Sequence, residues 1–283
     1  MSTVPPRDPR VVLREAGLRP KRSFGQSFLV AEPIARAIAA ACVHDDEVGR
    51  ARVVEIGAGT GALTRLLAER ARSVVAIERD RDLVPLLERD FADAPVPVRV
   101  VEADAQTVDL PSLLGEEEAG SPRVLCGNLP YVITGQLLRR AVEHVSQLER
   151  AVFMVQDEVA LRLAAKPSTK DYGALTVFVR AAFDVRRVQR VPPGAFHPPP
   201  EVTSAVVELV PVHPPRAKET DTFRALVRAA FEARRKTLRN AWSRVAPGEK
   251  VQAAAAKAGV SLDARGETLD VEAYARMAAA LDE

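Results

Sequence analysis

The sequence contains few of the residues from which metal centres and disulfide frameworks are built. Its 283 residues include two cysteines, Cys42 and Cys126, and four scattered histidines. Two cysteines are too few for a disulfide framework, and neither residue type shows the spacing of metal ligands. We therefore expect a reduced protein that holds no metal ion.

Long hydrophobic runs are also missing. No stretch approaches the roughly 18 uninterrupted apolar residues of a membrane helix. The opening segment, MSTVPPRDPR, is charged and has no apolar core behind it, unlike a secretory signal. Apolar residues at 47% and charged residues at 28% are typical of a globular chain. We expect a cytoplasmic protein of about two domains, without a membrane partner and monomeric.

The net charge of +2 conceals three basic segments. Residues 7–22 carry six Lys or Arg against two acids, residues 180–190 carry four against one, and residues 224–244 carry seven against one. Positive charge concentrated on an otherwise acidic chain can hold a polyanion on one face. A solvated surface is the alternative explanation, and charge alone does not decide between the two.

Short β-branched runs alternate with helical patterns up to Val210. Helices separate most of the predicted strands, which lie at 52–56, 73–77, 96–101, 123–126, 151–155, 175–180 and 202–210. This alternation is typical of a parallel sheet with helices on both faces. The Pro-rich segment 211–220 lacks periodicity, and helical patterns follow it at 223–245, 249–259 and 271–281. We predict an α/β, Rossmann-like domain over residues 1–212 and a small helical domain over residues 213–283.

The strongest local signal is RVVEIGAGTGALT, residues 52–64. A strand runs into Gly57, Gly59 and Gly61 and then into a helix, so the backbone can turn sharply and approach a ligand closely. One glycine would serve an ordinary tight turn, whereas three in alternation favour a ligand site. The dinucleotide fingerprint differs, because its third glycine comes one residue later.

Acidic residues close the next two predicted strands. Glu78 ends SVVAIE and is placed to accept hydrogen bonds from both hydroxyls of a ribose. Asp104 follows the third strand and could accept from an adenine amine, although either acid could instead cap a helix. Because the glycine loop carries no Lys or Arg for a phosphate, the set favours S-adenosylmethionine over NAD.

The fourth strand ends in LCGNLPYVIT, residues 125–134. This segment resembles the motif with which class I methyltransferases modify exocyclic amino groups. In that chemistry the side-chain oxygen of Asn128 and the backbone carbonyl of Leu129 accept the two hydrogens of the amine, which frees its lone pair. Pro130 stiffens the turn, and Tyr131 stacks on the extruded base.

Five segments in order resemble the ribosomal RNA adenine dimethyltransferase family, in its bacterial small-subunit (KsgA/RsmA) type. They are KRSFGQSFLV (21–30), VEIGAGTGALT (54–64), GNLPY (127–131), VPPGAFHPPPEVTSAVVEL (191–209) and FEARRKTLRN (231–240). The resemblance implies N6,N6-dimethylation of two adjacent adenosines in the 3′-terminal hairpin loop of small-subunit (16S) rRNA. It also implies S-adenosylmethionine as methyl donor, the immature small ribosomal subunit as partner, and a role in subunit biogenesis.

The resemblance also assigns residues. Cofactor contacts fall on Gln26, Ser27, Leu29, Gly57, Gly59, Glu78, Asp104 and Asn128. Catalytic roles fall on Asn128, Leu129, Pro130, Tyr131 and Phe196, with Phe196 facing Tyr131 across the adenine. Two departures, Ser27 and Val132 where the family usually has Asn, bear on cofactor affinity more than on reaction type.

An RNA track is predicted from separate residues. On one continuous helix, Arg224, Arg228, Arg235 and Arg239 fall within roughly 60° of one another, and Lys21 and Arg22 continue the track. Phosphate contacts of this kind position RNA without reading its sequence.

Three other functions compete with this one. A DNA adenine or protein glutamine methyltransferase could use Asn-Leu-Pro-Tyr, but would not be expected to carry FGQSFL and FHPPPEVTSAVVEL. A nicotinamide oxidoreductase is disfavoured by the glycine spacing. A non-catalytic ribosome-assembly RNA-binding factor would have no use for an intact Asn128–Tyr131 motif.

Overall fold

The computed structural model describes residues 7–232 and 235–283, and its contacts divide the chain into two compact units. The first unit comprises Met1–Ala160 and Arg186–Val210, and the second comprises Leu161–Val185 and Pro211–Glu283. The predicted boundary after residue 212 lies close to the last of these transitions. The structure differs in grouping Leu161–Val185 with the C-terminal residues.

The strands form one large sheet and one small ladder. In chain order, the described strands are β1 (Phe28–Leu29), β2 (Arg52–Ile56), β3 (Ser73–Glu78), β4 (Val98–Glu102), β5 (Arg123–Asn128), β6 (Arg150–Gln156), β7 (Phe183–Val191), β8 (Phe196–His197) and β9 (Ser204–Pro211). The large sheet has the order β4-β3-β2-β5-β6-β9-β7, and β1 pairs with β8 in the small ladder. Strands β2 to β6 run parallel to one another, whereas β9 is antiparallel to β6.

The helices are mostly short. In chain order they are α1 (Pro9–Glu15), α2 (Glu32–Cys42), α3 (Ala62–Ala68), α4 (Val84–Phe91), α5 (Leu110–Leu114), α6 (Thr134–Glu143), α7 (Asp157–Ala164), α8 (Ala174–Ala182), α9 (Asp221–Glu232), α10 (Leu238–Trp242), α11 (Gly248–Ala258) and α12 (Val271–Asp282). Within the described ranges, none of them combines the length and apolar character needed to cross a membrane.

The central strands are buried on both faces. Successive side chains point to opposite sides of a sheet, and both Val53 and Val54 of β2 are 1% exposed. On one face, Ile38 of α2 and Leu66 of α3 belong to the same core cluster as Val53. This confirms the predicted α/β fold with a mostly parallel, covered sheet.

The parallel strands end together at one edge of the sheet. Ile56 pairs with Ile77 and with Gly127, so β2, β3 and β5 finish at the same level. The residues that follow these ends, or close them, are the glycine loop, Glu78 and Asn128. This edge is where α/β folds bind ligands.

Residues 175–180 were expected to form a strand, and this prediction is wrong: they lie within α8. The run ALTVFVRAA is apolar enough for a buried strand or a buried helix, which periodicity alone does not separate. Gly173 opens the helix and donates its N–H to the Thr176 hydroxyl at 3.1 Å. Val177 and Phe178 then pack into the core cluster of the second unit.

The continuous helix predicted over 223–245 is also wrong, because α9 and α10 are separate helices. Residues 233–234 lie outside the described part of the chain. At the start of α10, Leu238 and Arg239 donate their backbone N–H groups to the carbonyls of Ala264 and Leu262 at 2.8 and 2.9 Å. A tertiary partner therefore takes the donors that a continuous helix would have used internally.

Candidate active site

A cavity of about 370 Å³ lies at the carboxyl edge of the first unit's sheet. This volume is within the usual range for small-molecule sites. Its walls come from residues 23–29, Ile38, residues 55–60, 62–63, 77–79, 103–105, 128–133 and Met154. All eight residues expected to contact a cofactor lie on these walls, although they come from five separate parts of the chain.

The glycine loop lies directly against the segment that contains β1. Gly59 has φ +59°, a conformation that favours glycine. A Cβ added there would lie 3.1 Å from the Phe28 ring, so glycine permits this close approach. The loop and the segment therefore form two adjoining walls of one cavity.

The Glu78 carboxylate is fixed by backbone groups. Its residue is 7% exposed, and it accepts hydrogen bonds from the N–H groups of Gly59 at 2.7 Å and Asp80 at 2.8 Å. Burial raises the pKa of Glu78, and these backbone hydrogen bonds oppose that rise. Each oxygen keeps acceptor capacity, so the pair fits the two neighbouring hydroxyls of a ribose and thereby the adenosine part of S-adenosylmethionine.

Asp104 has a structural contact as well as a place on the wall. Its Oδ1 accepts a hydrogen bond from the Gln106 N–H at 2.9 Å, and its Oδ2 lies 3.3 Å from Nη1 of Arg79. Asp104 therefore caps a turn and not a helix, which was the alternative role expected from the sequence. Because each carboxylate oxygen has two acceptor sites, the contact does not prevent Asp104 from also accepting from an adenine amine.

Asn128 closes β5 with its amide held at one end. Its Nδ2 donates to the Ser27 carbonyl at 3.0 Å. No described residue donates to its Oδ1. The next residue, Leu129, donates its N–H to the Met154 carbonyl at 3.0 Å. Two successive acceptors, the Asn128 Oδ1 and the Leu129 carbonyl, thus remain available where a planar amine would enter.

Tyr131 lies at the mouth of the cavity, in the short 3-10 turn Tyr131–Ile133. Its hydroxyl hydrogen-bonds the Ser204 Oγ at 2.7 Å, which fixes the ring. Burial raises the pKa of the Tyr131 hydroxyl. The Pro130 carbonyl accepts from the Ile133 N–H and from the Thr134 hydroxyl, so the turn is rigid.

Comparison with known sequences assigns this site to a family. The model of the family described as "Ribosomal RNA adenine dimethylase" matches residues 17–283. The chain belongs to the ribosomal RNA adenine dimethylase family. Among the described residues, no group of three or more His, Cys, Asp or Glu is placed to hold a metal ion.

Relatives of nearly the same length carry one name. A protein of Geobacter metallireducens is 40% identical over 275 residues, which cover 95% of this chain and 98% of the relative. A protein of Myxococcus xanthus is 43% identical over 280 residues, which cover 96% and 95%. Both are named Ribosomal RNA small subunit methyltransferase A.

Solved structures show the same fold. A dimethyladenosine transferase from Plasmodium falciparum superposes with a TM-score of 0.72 at 25% identity, over 88% of this chain and 95% of that one. The 23S rRNA methyltransferase ErmE superposes with a TM-score of 0.64 at 28% identity, over 90% and 100%. The first unit is therefore a class I methyltransferase domain.

Phe196 lies in the core and not among the described cavity walls, and its place across the adenine from Tyr131 stays a prediction. Its residue is 4% exposed, and its ring belongs to the core cluster that contains Ile38 and Val191. The aromatic residues among the described cavity walls are Phe24, Phe28 and Tyr131, and Phe196 is not one of them. In the β1–β8 ladder, Phe196 pairs with Leu29.

Two of the expected cofactor residues use side-chain donors in hydrogen bonds to other protein groups. The Ser27 hydroxyl donates to the Pro198 carbonyl at 2.7 Å. The Gln26 Nε2 donates to Oδ2 of Asp80 at 2.6 Å. They can form the wall of the cofactor site, but these side-chain donors are already used. Val132, the second family departure, is 93% exposed at the cavity mouth.

The predicted RNA track is divided by the helix break. Arg224 and Arg228 lie on α9, Arg239 lies on α10, and Arg235 lies in the turn between them. Arg224 is half-buried and pairs with Asp221, whereas Arg228 and Arg235 are exposed. Arg239 is also exposed, and its guanidinium lies 3.2 Å from Asp263. The single-face argument therefore fails, although three of the four guanidinium groups remain exposed to solvent.

Lys21 and Arg22, the other two cations of the predicted RNA track, precede the first cavity segment in the chain. Lys21 lies 2.5 Å from Asp80 and 2.6 Å from Asp82, so its charge is already paired. The side chain of Arg22 lies outside the described part of the chain.

Sequence analysis missed three residues at or beside the cavity: Glu55, Asp80 and Ser204. Glu55 stands in the middle of an apolar strand, where a buried acid is the visible signal. Asp80 lies in the charged run ERDRD, which resembles any solvated turn. Ser204 gives no signal, since its partner Tyr131 is far away in sequence.

The buried Glu55 carboxyl predicts that the stability of the fold depends on pH. It is 2% exposed and accepts the Thr64 hydroxyl at 2.5 Å, and burial raises its pKa to about 7. Because the folded state binds this proton more tightly, stability is full below the unfolded value and is lost as pH rises through about 7. In the wild type we expect the free energy of unfolding to fall by about 3 kcal/mol between pH 5 and 8, and in Glu55→Gln we expect this fall to be absent.

Denaturant unfolding at several pH values measures this effect. Glu102→Gln, on the exposed end of β4, is the control and should keep the wild-type pH profile. An unchanged profile for Glu55→Gln would contradict the assignment of the proton to Glu55.

Proposed function

We propose that this chain transfers methyl groups from S-adenosylmethionine to N6 of two adjacent adenosines in the 3′-terminal hairpin loop of 16S rRNA. Each adenosine becomes N6,N6-dimethyladenosine. The observation that carries the proposal is that one cavity is lined by both the buried Glu78 carboxylate and the Asn128 amide oxygen. No described residue donates a hydrogen bond to that amide oxygen. The name shared by the bacterial relatives supports the choice of substrate.

The amine is activated by the end of β5. The lone pair of an adenine amine is delocalised into the ring, which makes the nitrogen a weak nucleophile. When Asn128 Oδ1 and the Leu129 carbonyl accept its two hydrogens, the nitrogen is held more pyramidal and the lone pair becomes available. The hydrogen bond from Asn128 Nδ2 to Ser27 keeps Oδ1 turned toward the amine. Bound S-adenosylmethionine supplies the electrophilic methyl group.

The base is held by Tyr131. Aromatic stacking on an extruded base contributes about 1–3 kcal/mol. The hydrogen bond to Ser204 and the rigid Pro130 turn fix the ring in advance, so little is lost on binding. Tyr131 therefore orients the adenine while Asn128 and Leu129 hold its amine.

The second unit is proposed to bind the RNA backbone. Its exposed cations Arg228, Arg235 and Arg239 suit phosphates, which position RNA without sequence information. The proposed partner is the immature small ribosomal subunit in the cytoplasm, to which the chain binds as a monomer.

Removing two of these charges should weaken RNA binding. For Arg235→Ala with Arg239→Ala, we expect the slope of log affinity against log salt to fall by about 1.5, since each phosphate contact contributes roughly 0.7–0.9. Lys250→Ala with Lys257→Ala, on exposed positions of α11, removes the same charge from the same unit and is the matched control. An equal change in both double variants would contradict the assignment.

Transfer of tritiated methyl groups tests the substrate. The acceptors are unmethylated small ribosomal subunits and, in parallel, duplex DNA containing adenine. Label in the subunit RNA and none in DNA is expected. Label in DNA alone would indicate a DNA methyltransferase. Tight binding to subunits without label would indicate an assembly factor.

A further inference from the structure

Asp80 is a buried carboxylate next to the cavity but not on its wall. Its residue is 2% exposed, and a carboxylate at such a depth needs partners to remain ionised. Burial alone would raise the pKa of Asp80, but hydrogen bonds from Lys21 and Gln26 hold it below its ordinary value. Asp80 is therefore a buried, ionised group that takes no part in the amine chemistry.

The side-chain partners of Asp80 come from a single segment of the chain, and the Asp82 N–H also donates to its Oδ1 at 3.1 Å. Lys21 donates its Nζ to Oδ1 at 2.5 Å, and Gln26 donates its Nε2 to Oδ2 at 2.6 Å. The same two residues contact each other, because the Lys21 N–H donates to the Gln26 Oε1 at 2.7 Å. Both carboxylate oxygens thus hold the beginning of one segment, Lys21–Leu29, which we term the strap.

The strap forms one side of the cavity. Its residues 23–29 all line the cavity. Its far end is held separately, since Ser27 accepts from Asn128, and Leu29 pairs with Phe196. The near end depends on Asp80, and on two cations over the Phe24 ring, Lys21 at 5.5 Å and Arg79 at 5.4 Å from the centroid.

Asp80 also contacts the ribose-facing carboxylate. Its backbone N–H donates to Oε1 of Glu78 at 2.8 Å, while Glu78 Oε2 accepts from the glycine loop. One residue therefore links the strap to the group that would hold the ribose. A shift of the strap and a shift of Glu78 are coupled through it.

We propose that Asp80 is a positioning residue that fastens the strap over bound S-adenosylmethionine, so that its contacts with Lys21 and Gln26 set how long the cofactor and its demethylated product stay bound. The inference rests on the proposed use of S-adenosylmethionine. It also gives Lys21 a role in closing the cavity in place of the predicted phosphate contact.

Product retention tests the proposal. For Asp80→Asn we expect the dissociation rate of tritiated S-adenosylhomocysteine to rise by about 10- to 100-fold, because a charge-assisted hydrogen bond is lost without a change of shape. Asp82→Asn is the control: Asp82 also pairs with Lys21, but its side chain is 53% exposed, and we expect less than a twofold change.

A double-mutant cycle separates positioning from general damage to the fold. Lys21→Met should also speed release, and adding it to Asp80→Asn should cause a less than additive change, since both variants remove the Lys21–Asp80 ion pair. Additive effects, or wild-type release from both folded single variants, would overturn the proposal. If Asp80→Asn does not fold, Lys21→Met alone tests the proposal. The Lys21 side chain is 35% exposed, so its replacement is expected to leave the fold intact.

Two further outcomes are informative. Weaker RNA binding by Lys21→Met, with product release unchanged, would overturn the proposal and return Lys21 to the RNA track. If the wild-type chain binds neither S-adenosylmethionine nor its product, the proposed function itself fails. That result is distinguishable from failure of the strap, for which wild-type binding is intact.

Discussion

Replacing Asn128 by alanine is expected to lower kcat for methyl transfer by about 100- to 1000-fold, the usual loss when one preorganised electrostatic group is removed. The amine would keep only the Leu129 carbonyl as acceptor, and its lone pair would stay delocalised. Affinity for S-adenosylmethionine should change much less, because Asn128 contacts the strap through one hydrogen bond, to the Ser27 carbonyl. Single-turnover transfer and equilibrium binding, measured together, separate the two effects.

Asn128→Asp is the matched variant for this result. Aspartate keeps an acceptor oxygen but loses the Nδ2–H donor that fixes the side chain to Ser27. It should therefore be more active than alanine and less active than asparagine. Wild-type kcat in the alanine variant would contradict the amine-holding role, and equal loss in both variants would indicate that orientation, not the acceptor, carries the effect.

Replacing Glu78 by alanine is expected to raise the Kd of S-adenosylmethionine and its product by about 100-fold or more. Two hydrogen bonds from a ribose to a charged acceptor would be lost, each contributing about 1.5–3 kcal/mol. The backbone donors of Gly59 and Asp80 would also lose their buried partner. Calorimetric binding of the product measures the effect without any RNA.

A ligand lacking the ribose 2′-hydroxyl sharpens this test. The wild-type chain should bind the deoxy product more weakly than the natural one, while Glu78→Ala should discriminate less between them. Glu102→Gln, a strand-end acid on β4, is the control and should bind both as the wild type does. Unchanged affinity in Glu78→Ala would refute the ribose assignment.

The cavity could be predicted from sequence because its parts are strand ends. Strands that alternate with helices predict a parallel sheet, and parallel strands place their carboxyl ends at one edge. Four strand-end residues therefore converge there: Gly57, Glu78, Asp104 and Asn128. Each of these residues directly follows or closes an apolar run in the sequence. The local sequence pattern and the sheet topology therefore predict the same location for these residues.

The features that were wrong depend on contacts distant in sequence. The break between α9 and α10 follows from the carbonyls of Leu262 and Ala264, which no local pattern reveals. The grouping of 161–185 with the C-terminal residues follows from packing of α8, whose short apolar run suited a strand equally well.

The same limit applies to charge. Lys21 and Asp80 are 59 residues apart, and each looks like an ordinary surface charge in sequence. Only the fold shows that the lysine is paired and the aspartate is buried. A count of basic residues therefore overestimates the charge available to RNA, because Lys21, Arg224 and Arg239 are each paired with an acid. Arg228, Arg235 and Arg239 are the exposed cations to test.

Nucleoside mass spectrometry of small-subunit rRNA tests the central claim most directly. The chain is incubated with S-adenosylmethionine and unmethylated subunits until transfer is complete. The account predicts N6,N6-dimethyladenosine as the final product, at two adjacent adenosines of the 3′-terminal hairpin loop, and no product with Asn128→Ala. Transfer that stops at monomethyladenosine, or that modifies other positions, would contradict it.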